Sequence, residues 1–336
     1  MDNDIIDKIL DKLGDKEEVK DELISFSDKR YKAEVLDKSN FHEISGAVSD
    51  RRIAFIDGGN TEVLSLPNLN LQLVRVYYNI FQRNKKIGSK RLDFYVFVEA
   101  VQEEGIKYKV EIKPDDILNG LRFDSFDESL REGKHRVKVS KVAEAVRRFL
   151  ELHLAKKAVD RLDRGGVIVL DGSLKASITG EKQYFDALYG KCLDKGVIVS
   201  GLPKSCSLLT NKGNSVLTVL RRISPKGAWY YHNAVSIENP EHKADMFFVK
   251  LQKNSKFVFR YELFNESKYD IDEVLSLLMD NSKDPVFLGY PYGLIEADRF
   301  ARVSNNEKEY LKTQLMVRLK KDDLEQDAHS VLDSVG

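Results

Sequence analysis

Two aspartates stand where a carboxylate can do chemistry. Ile53-Ala54-Phe55-Ile56 runs straight into Asp57-Gly58-Gly59, and Val167-Ile168-Val169-Leu170 runs into Asp171-Gly172-Ser173. Each apolar run reads as a buried strand whose end delivers an acid at the rim of a sheet. Asp-Gly is also ordinary turn chemistry, so either pair alone says little. Two such strands, separately placed, can hold hard oxygen-loving ions such as Mn²⁺ or Mg²⁺. Two divalent ions about 4 Å apart activate water and stabilise a leaving oxyanion in phosphodiester hydrolysis, and they need several carboxylates.

Further acids and bases fit that scheme. Glu151, in Arg147-Arg148-Phe149-Leu150-Glu151, flanks an apolar helical stripe and is the first candidate for a third acid, with Glu144 and Glu99 as rivals. It could equally be a surface partner of Arg147 at i,i+4 spacing. Lys204, in Gly201-Leu202-Pro203-Lys204-Ser205, follows another buried strand and suits a phosphate as a point charge. Asp298 lies on a helix after Gly289-Tyr290-Pro291-Tyr292-Gly293 and is a candidate fourth metal ligand. Tyr290 and Tyr292 can stack on unpaired bases or simply pack at a loop-to-helix junction. Arg260 and Glu262 share one strand face, either as a structural ion pair or as lining of a substrate channel. His232, after Trp229-Tyr230-Tyr231, reads as a packed strand histidine. The basic runs at 83–91 and at Arg221-Arg222-Lys226 read as solvated faces or as a track for phosphates.

The elements that must position these residues follow from hydrophobic patterning. Strands at 52–57, 71–82 and 92–101 predict an antiparallel meander. Residues 102–138 are polar and read as an insertion with one strand near 108–113. A long helix over 139–163, with Ser140 as its cap and Val142, Val146, Phe149, Leu150 and Leu154 as its buried stripe, ends at Gly165-Gly166. Strand 167–170, helix 181–194 and strand 196–201 form a parallel crossover. A helix at 214–222, strands at 228–237, 245–252 and 257–264, and helices at 270–280 and 304–318 complete an α/β body. Ile5, Ile6, Ile9, Leu10, Leu13, Val19 and Leu23 predict a helical N-terminal arm within residues 1–45, broken at Gly14, and 320–336 reads as a charged tail.

Composition narrows the class. The chain has 336 residues, 42% of them apolar and 32% charged, with Lys+Arg and Asp+Glu balanced at 54 each. Any anion-binding surface must therefore arise from segregation of charge. Two cysteines, Cys192 and Cys206, without ligand spacing exclude a disulfide framework and a zinc cluster. No apolar run reaches membrane-spanning length, and the reading is a cytoplasmic protein.

Taken in order, Ile56-Asp57-Gly58-Gly59, Leu170-Asp171-Gly172-Ser173-Leu174, Gly201-Leu202-Pro203-Lys204-Ser205, Phe259-Arg260-Tyr261-Glu262 and Gly289-Tyr290-Pro291-Tyr292-Gly293-Leu294-Ile295-Glu296-Ala297-Asp298 resemble the NurA nuclease family. The resemblance runs from about residue 50 to about 335. It implies a ribonuclease-H-like mixed sheet with flanking helices in a nuclease domain over 46–336. It also implies Mn²⁺-dependent DNA cleavage (Mg²⁺ as a substitute), 5′-to-3′ on DNA ends with endonuclease action on single strands. A ring-shaped homodimer would work beside HerA, a hexameric ATP-driven translocase, in end resection and repair or in phage defence. The family's metal-binding aspartates fall on Asp57 and Asp171, its helix glutamate on Glu151 and its lysine on Lys204. Two departures stand out: Gly59 replaces a common Ser, and Asp298 a common His. No Gly-x-x-x-x-Gly-Lys-Ser/Thr loop is present, so a motor must come from a partner. Two rival readings are an actin-like nucleotide- or sugar-binding protein and a non-catalytic subunit that threads DNA or docks on a translocase.

Overall fold

The computed structural model describes residues 4–8, 21–114, 118 and 120–319. Its strands are β1 (Tyr31–Ala33), β2 (Phe41–Glu43), β3 (Arg52–Ser65), β4 (Leu69–Gln82), β5 (Lys85–Glu103), β6 (Gly105–Lys113), β7 (Arg122–Asp124), β8 (Val167–Leu170), β9 (Ile198–Gly201), β10 (Trp229–Tyr231), β11 (Val235–Ile237), β12 (Ala244–Lys250) and β13 (Phe259–Phe264). Its longer helices are α1 (Val139–Ala158), α2 (Glu181–Lys195), α3 (Val216–Ile223), α4 (Ile271–Asn281), α5 (Tyr292–Ala301) and α6 (Asn305–Arg318).

One sheet of 11 strands, in the order β2-β10-β12-β13-β9-β8-β3-β4-β5-β6-β7, organises the molecule. β3, β4 and β5 form the expected antiparallel meander, and β8 and β9 run parallel to β3 on its other side. That centre is the ribonuclease-H-like arrangement.

Strand alternation assigns the two faces. Ala54, Ile56, Val74, Val76 and Val96 pack against Val142, Val146, Phe149 and Leu150 of α1. Ile53, Phe55, Val167 and Val169 pack with Val274, Leu278 and Leu294 from α4 and α5. Asp57 continues the Ile53–Phe55 series and so points to the α5 side, whereas Gly58 faces α1. A smaller cluster around Trp229, Tyr231 and Phe248 lies under α3.

Several expectations change. Residues 4–8 of the N-terminal arm are helical and 9–20, with Gly14, lie outside the described residues. Residues 21–45 are not helical beyond one 3-10 turn at Lys38–Asn40: β1 pairs with β11, β2 with β10, and Ile24 bridges Thr210. Pairing partners far along the chain override the local helical pattern there. Residues 102–138 contain two strands, β6 and β7, that extend the main sheet and bury Tyr108, Val110, Ile112 and Phe123.

Ser140 does not cap α1. The helix begins one residue earlier, with Lys138 at the cap and no side-chain cap bond. It also stops at Ala158, before a short 3-10 turn over Val159–Arg161. The strand expected at 228–237 is split into β10 and β11, with Asn233 between them at φ 58°. The tail from 320 lies outside the described residues. Cys192 is buried and Cys206 half-buried, both free thiols. Among the described residues no helix is long and apolar enough to cross a membrane.

Candidate active site

The parallel register sets Ile56 opposite Leu170, and the Asp171 N–H donates to the Ile56 carbonyl at 3.2 Å. Asp57 and Asp171 therefore emerge side by side, Asp171 just past the carboxyl end of β8 and Asp57 within β3, which runs on to Ser65 instead of ending at 57 as the sequence predicts. Lys204, just beyond β9, projects its ammonium among the acids. Its Nζ lies 2.6 Å from Asp171, 3.0 Å from Asp298 and 3.9 Å from Asp57. Asp298, on α5, also pairs with Arg302 at 2.9 Å.

Electrostatics record the crowding. Burial, then the charges of Asp171 and Glu151, push the Asp57 carboxyl from 3.8 up to about 8, against the opposing pull of Lys204 and the Gly58 N–H. Burial works against the Lys204 ammonium, but bonding to Asp171 and Asp298 outweighs it and holds its pKa above the usual value. Tyr290 belongs to the same centre. Its hydroxyl is buried without a hydrogen-bond partner, and burial with the charges of Asp171, Asp57 and Asp298 drives its pKa up.

Glu151 reaches the centre from the other face of the sheet, through Gly58. A Cβ at position 58 would stand 2.5 Å from Glu151 Oε1 and 2.8 Å from its Cγ. The absent side chain is what lets a buried helix carboxylate lie against the backbone next to Asp57. Arg147 bonds Glu151 Oε1 and the Gly58 carbonyl, and Arg148 lies 3.2 Å from Oε2. The two rival glutamates are engaged elsewhere, Glu144 with Lys141 at 3.0 Å and Glu99 with Lys109 at 3.1 Å.

Arg148 and Glu181, which the sequence reading gives no role, and Glu262, read there only with Arg260, hold the turn after Asp171. Arg148 donates to the Ser173 carbonyl at 2.9 Å and to Glu181 Oε1 at 3.1 Å. Glu181 Oε2 accepts the N–H groups of Ser177 at 2.8 Å and Ile178 at 3.1 Å. Fully buried Glu262, on β13, accepts the Leu174 N–H at 2.7 Å. His242 and Arg260 approach Glu262 at 3.0 and 3.1 Å, as close contacts without hydrogen-bond alignment. Burial alone would raise the Glu262 carboxyl; His242 and Arg260 more than offset it and keep its pKa low. Such triangles of long-range partners leave no local pattern. Only the shared strand face of Arg260 and Glu262 hinted at one.

Other residues fall outside the cluster. Arg260 turns to Glu262, as the ion-pair reading has it. Tyr292 packs edge-on to Phe81 at 6.3 Å. Phe81 pairs with Ile53, four residues down β3 from Asp57, so Tyr292 is not brought to the acids. His232 stacks on Phe247 at 4.7 Å. In the basic run, Arg83 pairs with Asp50 and Lys86 with Glu296. Gly59 has its own packing reason, since a Cβ there would lie 2.5 Å from the Ala301 carbonyl oxygen. The end of α5 occupies the space that a serine would need.

Among the described residues no three of Asp, Glu, His and Cys stand close enough to enclose a metal ion as placed. Lys204 takes the central position instead. The donor set nevertheless suits a hard divalent cation: every candidate ligand atom is oxygen, and burial first, then the charges of Asp171 and Glu151, hold the Asp57 pKa up against one ammonium.

A family model described as the NurA domain matches residues 51–303. Among solved structures, the NurA nuclease from Sulfolobus solfataricus aligns with a TM-score of 0.50 at 16% identity, over 96% of this chain and 98% of that one. That likeness shows the fold. The catalytic domain of human endonuclease V aligns at 0.40, with 10% identity over 79% and 84% of the chains, too distant to carry an argument. Among curated proteins no sequence matches.

Proposed function

The chain belongs to the NurA family, and from that premise we propose that it is a metal-dependent DNA nuclease centred on Asp57, Asp171, Glu151, Asp298 and Lys204. One observation carries the reading: three aspartates from β3, the β8 turn and α5 converge on a single lysine ammonium.

Asp57, Asp171, Glu151 and Asp298 would hold Mn²⁺ or Mg²⁺, which when bound supplies an activated water and charge for the leaving oxyanion. Lys204 then turns from the carboxylates to the scissile phosphate, a point charge suited to a non-bridging oxygen. Tyr290 offers its buried hydroxyl as a donor at the same focus. Arg260 stays with Glu262 and supports the turn after Asp171, and Tyr292 is left to guide the strand at a distance.

The family reading extends further. The chain would act as a cytoplasmic homodimer on single-stranded DNA and on duplex ends, cutting 5′-to-3′ and internally on single strands. A HerA-type hexameric translocase would feed it DNA during end resection, in repair or in defence against phage. Its motor is the partner's.

The test is digestion of end-labelled single-stranded DNA with Mn²⁺, Mg²⁺ or EDTA, comparing wild type with Asp171→Ala. The expected result is cation-dependent cutting that falls at least ~100-fold in the variant, since even outer-shell residues of metal sites are worth 10–100-fold. Equal cutting by both proteins would remove Asp171 from the reaction. Nucleotide binding without cutting would favour the actin-like reading. Failure to co-elute with the cognate ATPase at low salt would count against the partner.

A further inference from the structure

We propose that Arg148 is a positioning residue for divalent-cation binding, setting the separation of Glu151 from the Asp171 turn, with Glu181 as its anchor. The proposal rests on the nuclease reading above and adds to it a residue that touches neither the cation nor DNA.

The geometry is that of a three-way clamp. A guanidinium presents five N–H groups in a fixed plane, so one side chain can tie three partners at set angles. Arg148 ties Glu151 on its own helix at 3.2 Å, Ser173 two residues beyond Asp171 at 2.9 Å, and Glu181 at the start of α2 at 3.1 Å. The guanidinium carbon lies 5.4 Å from the centre of the Phe185 ring, and the side chain is only 13% exposed. Glu181 is 2% exposed and spends its second oxygen on the Ser177 and Ile178 N–H groups. The clamp therefore spans the loop from 173 to 181 as well as the helix.

Arg147 does a different job. It is 31% exposed and secures the other Glu151 oxygen to the Gly58 carbonyl. Arg148 is the side chain that links Glu151 to the Asp171 turn. A lysine has no planar fork and cannot hold all three partners in register. Direct contact of Arg148 with a DNA phosphate is the competing role, but all three of its nitrogens already bond protein oxygens, using three of the five N–H groups.

The experiment uses the full chain as wild type, Arg148→Gln, Arg148→Lys and Glu181→Gln. Free Mn²⁺ is followed by its EPR signal during titration without DNA, and cleavage of single-stranded DNA is measured across Mn²⁺ concentrations. Arg148→Gln should weaken Mn²⁺ binding about 10–100-fold, the usual effect of removing an outer-shell partner. At saturating Mn²⁺ its kcat should return to within a few-fold of wild type, with KM for DNA unchanged. Arg148→Lys should recover part of the affinity, and Glu181→Gln should shift it in the same direction as Arg148→Gln.

A folded Arg148→Gln protein with wild-type Mn²⁺ affinity would overturn the proposal. So would a raised KM for DNA at unchanged affinity, which would make Arg148 a DNA contact. If Arg148→Gln fails to fold, the same titration on Arg148→Lys and Glu181→Gln decides, and unshifted affinity in both overturns it. Wild type that binds no Mn²⁺ would instead defeat the metal-nuclease reading itself, and this proposal with it.

Discussion

Gly58→Ala is the sharpest probe of how Glu151 reaches the centre. An added Cβ would lie 2.5 Å from Glu151 Oε1, 2.8 Å from Cγ and 3.1 Å from Cδ. Non-bonded carbons rest about 3.5–4.0 Å apart, so the carboxylate must retreat by roughly 1 Å. It has little room to do so. Glu151 is 3% exposed and both oxygens are held by arginines. Overpacking a filled site costs about 1–3 kcal/mol, to be read from urea unfolding. A displacement of about 1 Å at a reacting centre costs about 100-fold in rate, to be read from Mn²⁺-dependent cutting of single-stranded DNA.

Gly190→Ala is the matched control. It sits on exposed helix surface in α2 with nothing within 4 Å of an added Cβ. That change should stabilise by about 0.5–1 kcal/mol through helix propensity and leave cutting untouched. If Gly58→Ala keeps wild-type activity and Mn²⁺ affinity, Glu151 does not act through that window and the third acid lies elsewhere.

Two further outcomes follow from the electrostatics. Asp57 titrates near 8 in the folded chain against 3.8 unfolded, so the folded state holds the extra proton between about pH 4 and 8. Stability of the EDTA-treated protein should therefore fall as pH climbs through that window, by on the order of a few kcal/mol. Asp57→Asn should flatten the dependence and melt higher than wild type near pH 8; parallel melting curves from pH 5 to 8.5 would contradict the assignment. Glu262→Ala should cost about 3–5 kcal/mol in urea unfolding, because Arg260 and His242 lose the buried carboxylate they face. The Leu174 amide should lose hydrogen-exchange protection at the same time, and a loss below about 1 kcal/mol with that amide still protected would argue against the network.

What could be read from sequence was what the chain encodes locally. Val167–Leu170 and Ile53–Ile56 are apolar on both faces, as strands buried between helices must be, and each runs into its aspartate; the continuation of β3 past Asp57 to Ser65 was not legible. Lys204 was legible for the same reason, at the end of a buried strand. The order of meander and crossover fixed the centre of the sheet. Glu151 could be nominated over Glu144 and Glu99 but not chosen, because the choice depends on facing a glycine in another element. Arg148, Glu181 and Glu262 were invisible as a group: the bonds Arg148–Ser173, Arg148–Glu181 and Glu262–Leu174 span 25, 33 and 88 positions, and nothing in a charged helix face marks one arginine as nearly buried. β1 and β2, three residues each, are strands only because β11 and β10 lie alongside them.

A Cβ at Gly201 would fall 2.4 Å from the Gly172 carbonyl oxygen, so the turns that carry Lys204 and Asp171 touch main chain to main chain. The Leu202 N–H closes the seam on the Leu170 carbonyl at 3.0 Å. Lysine and aspartate thus ride on one interlocked plate instead of two independent loops. Their alignment is settled once, when the polypeptide folds, and need not be found again at each turnover.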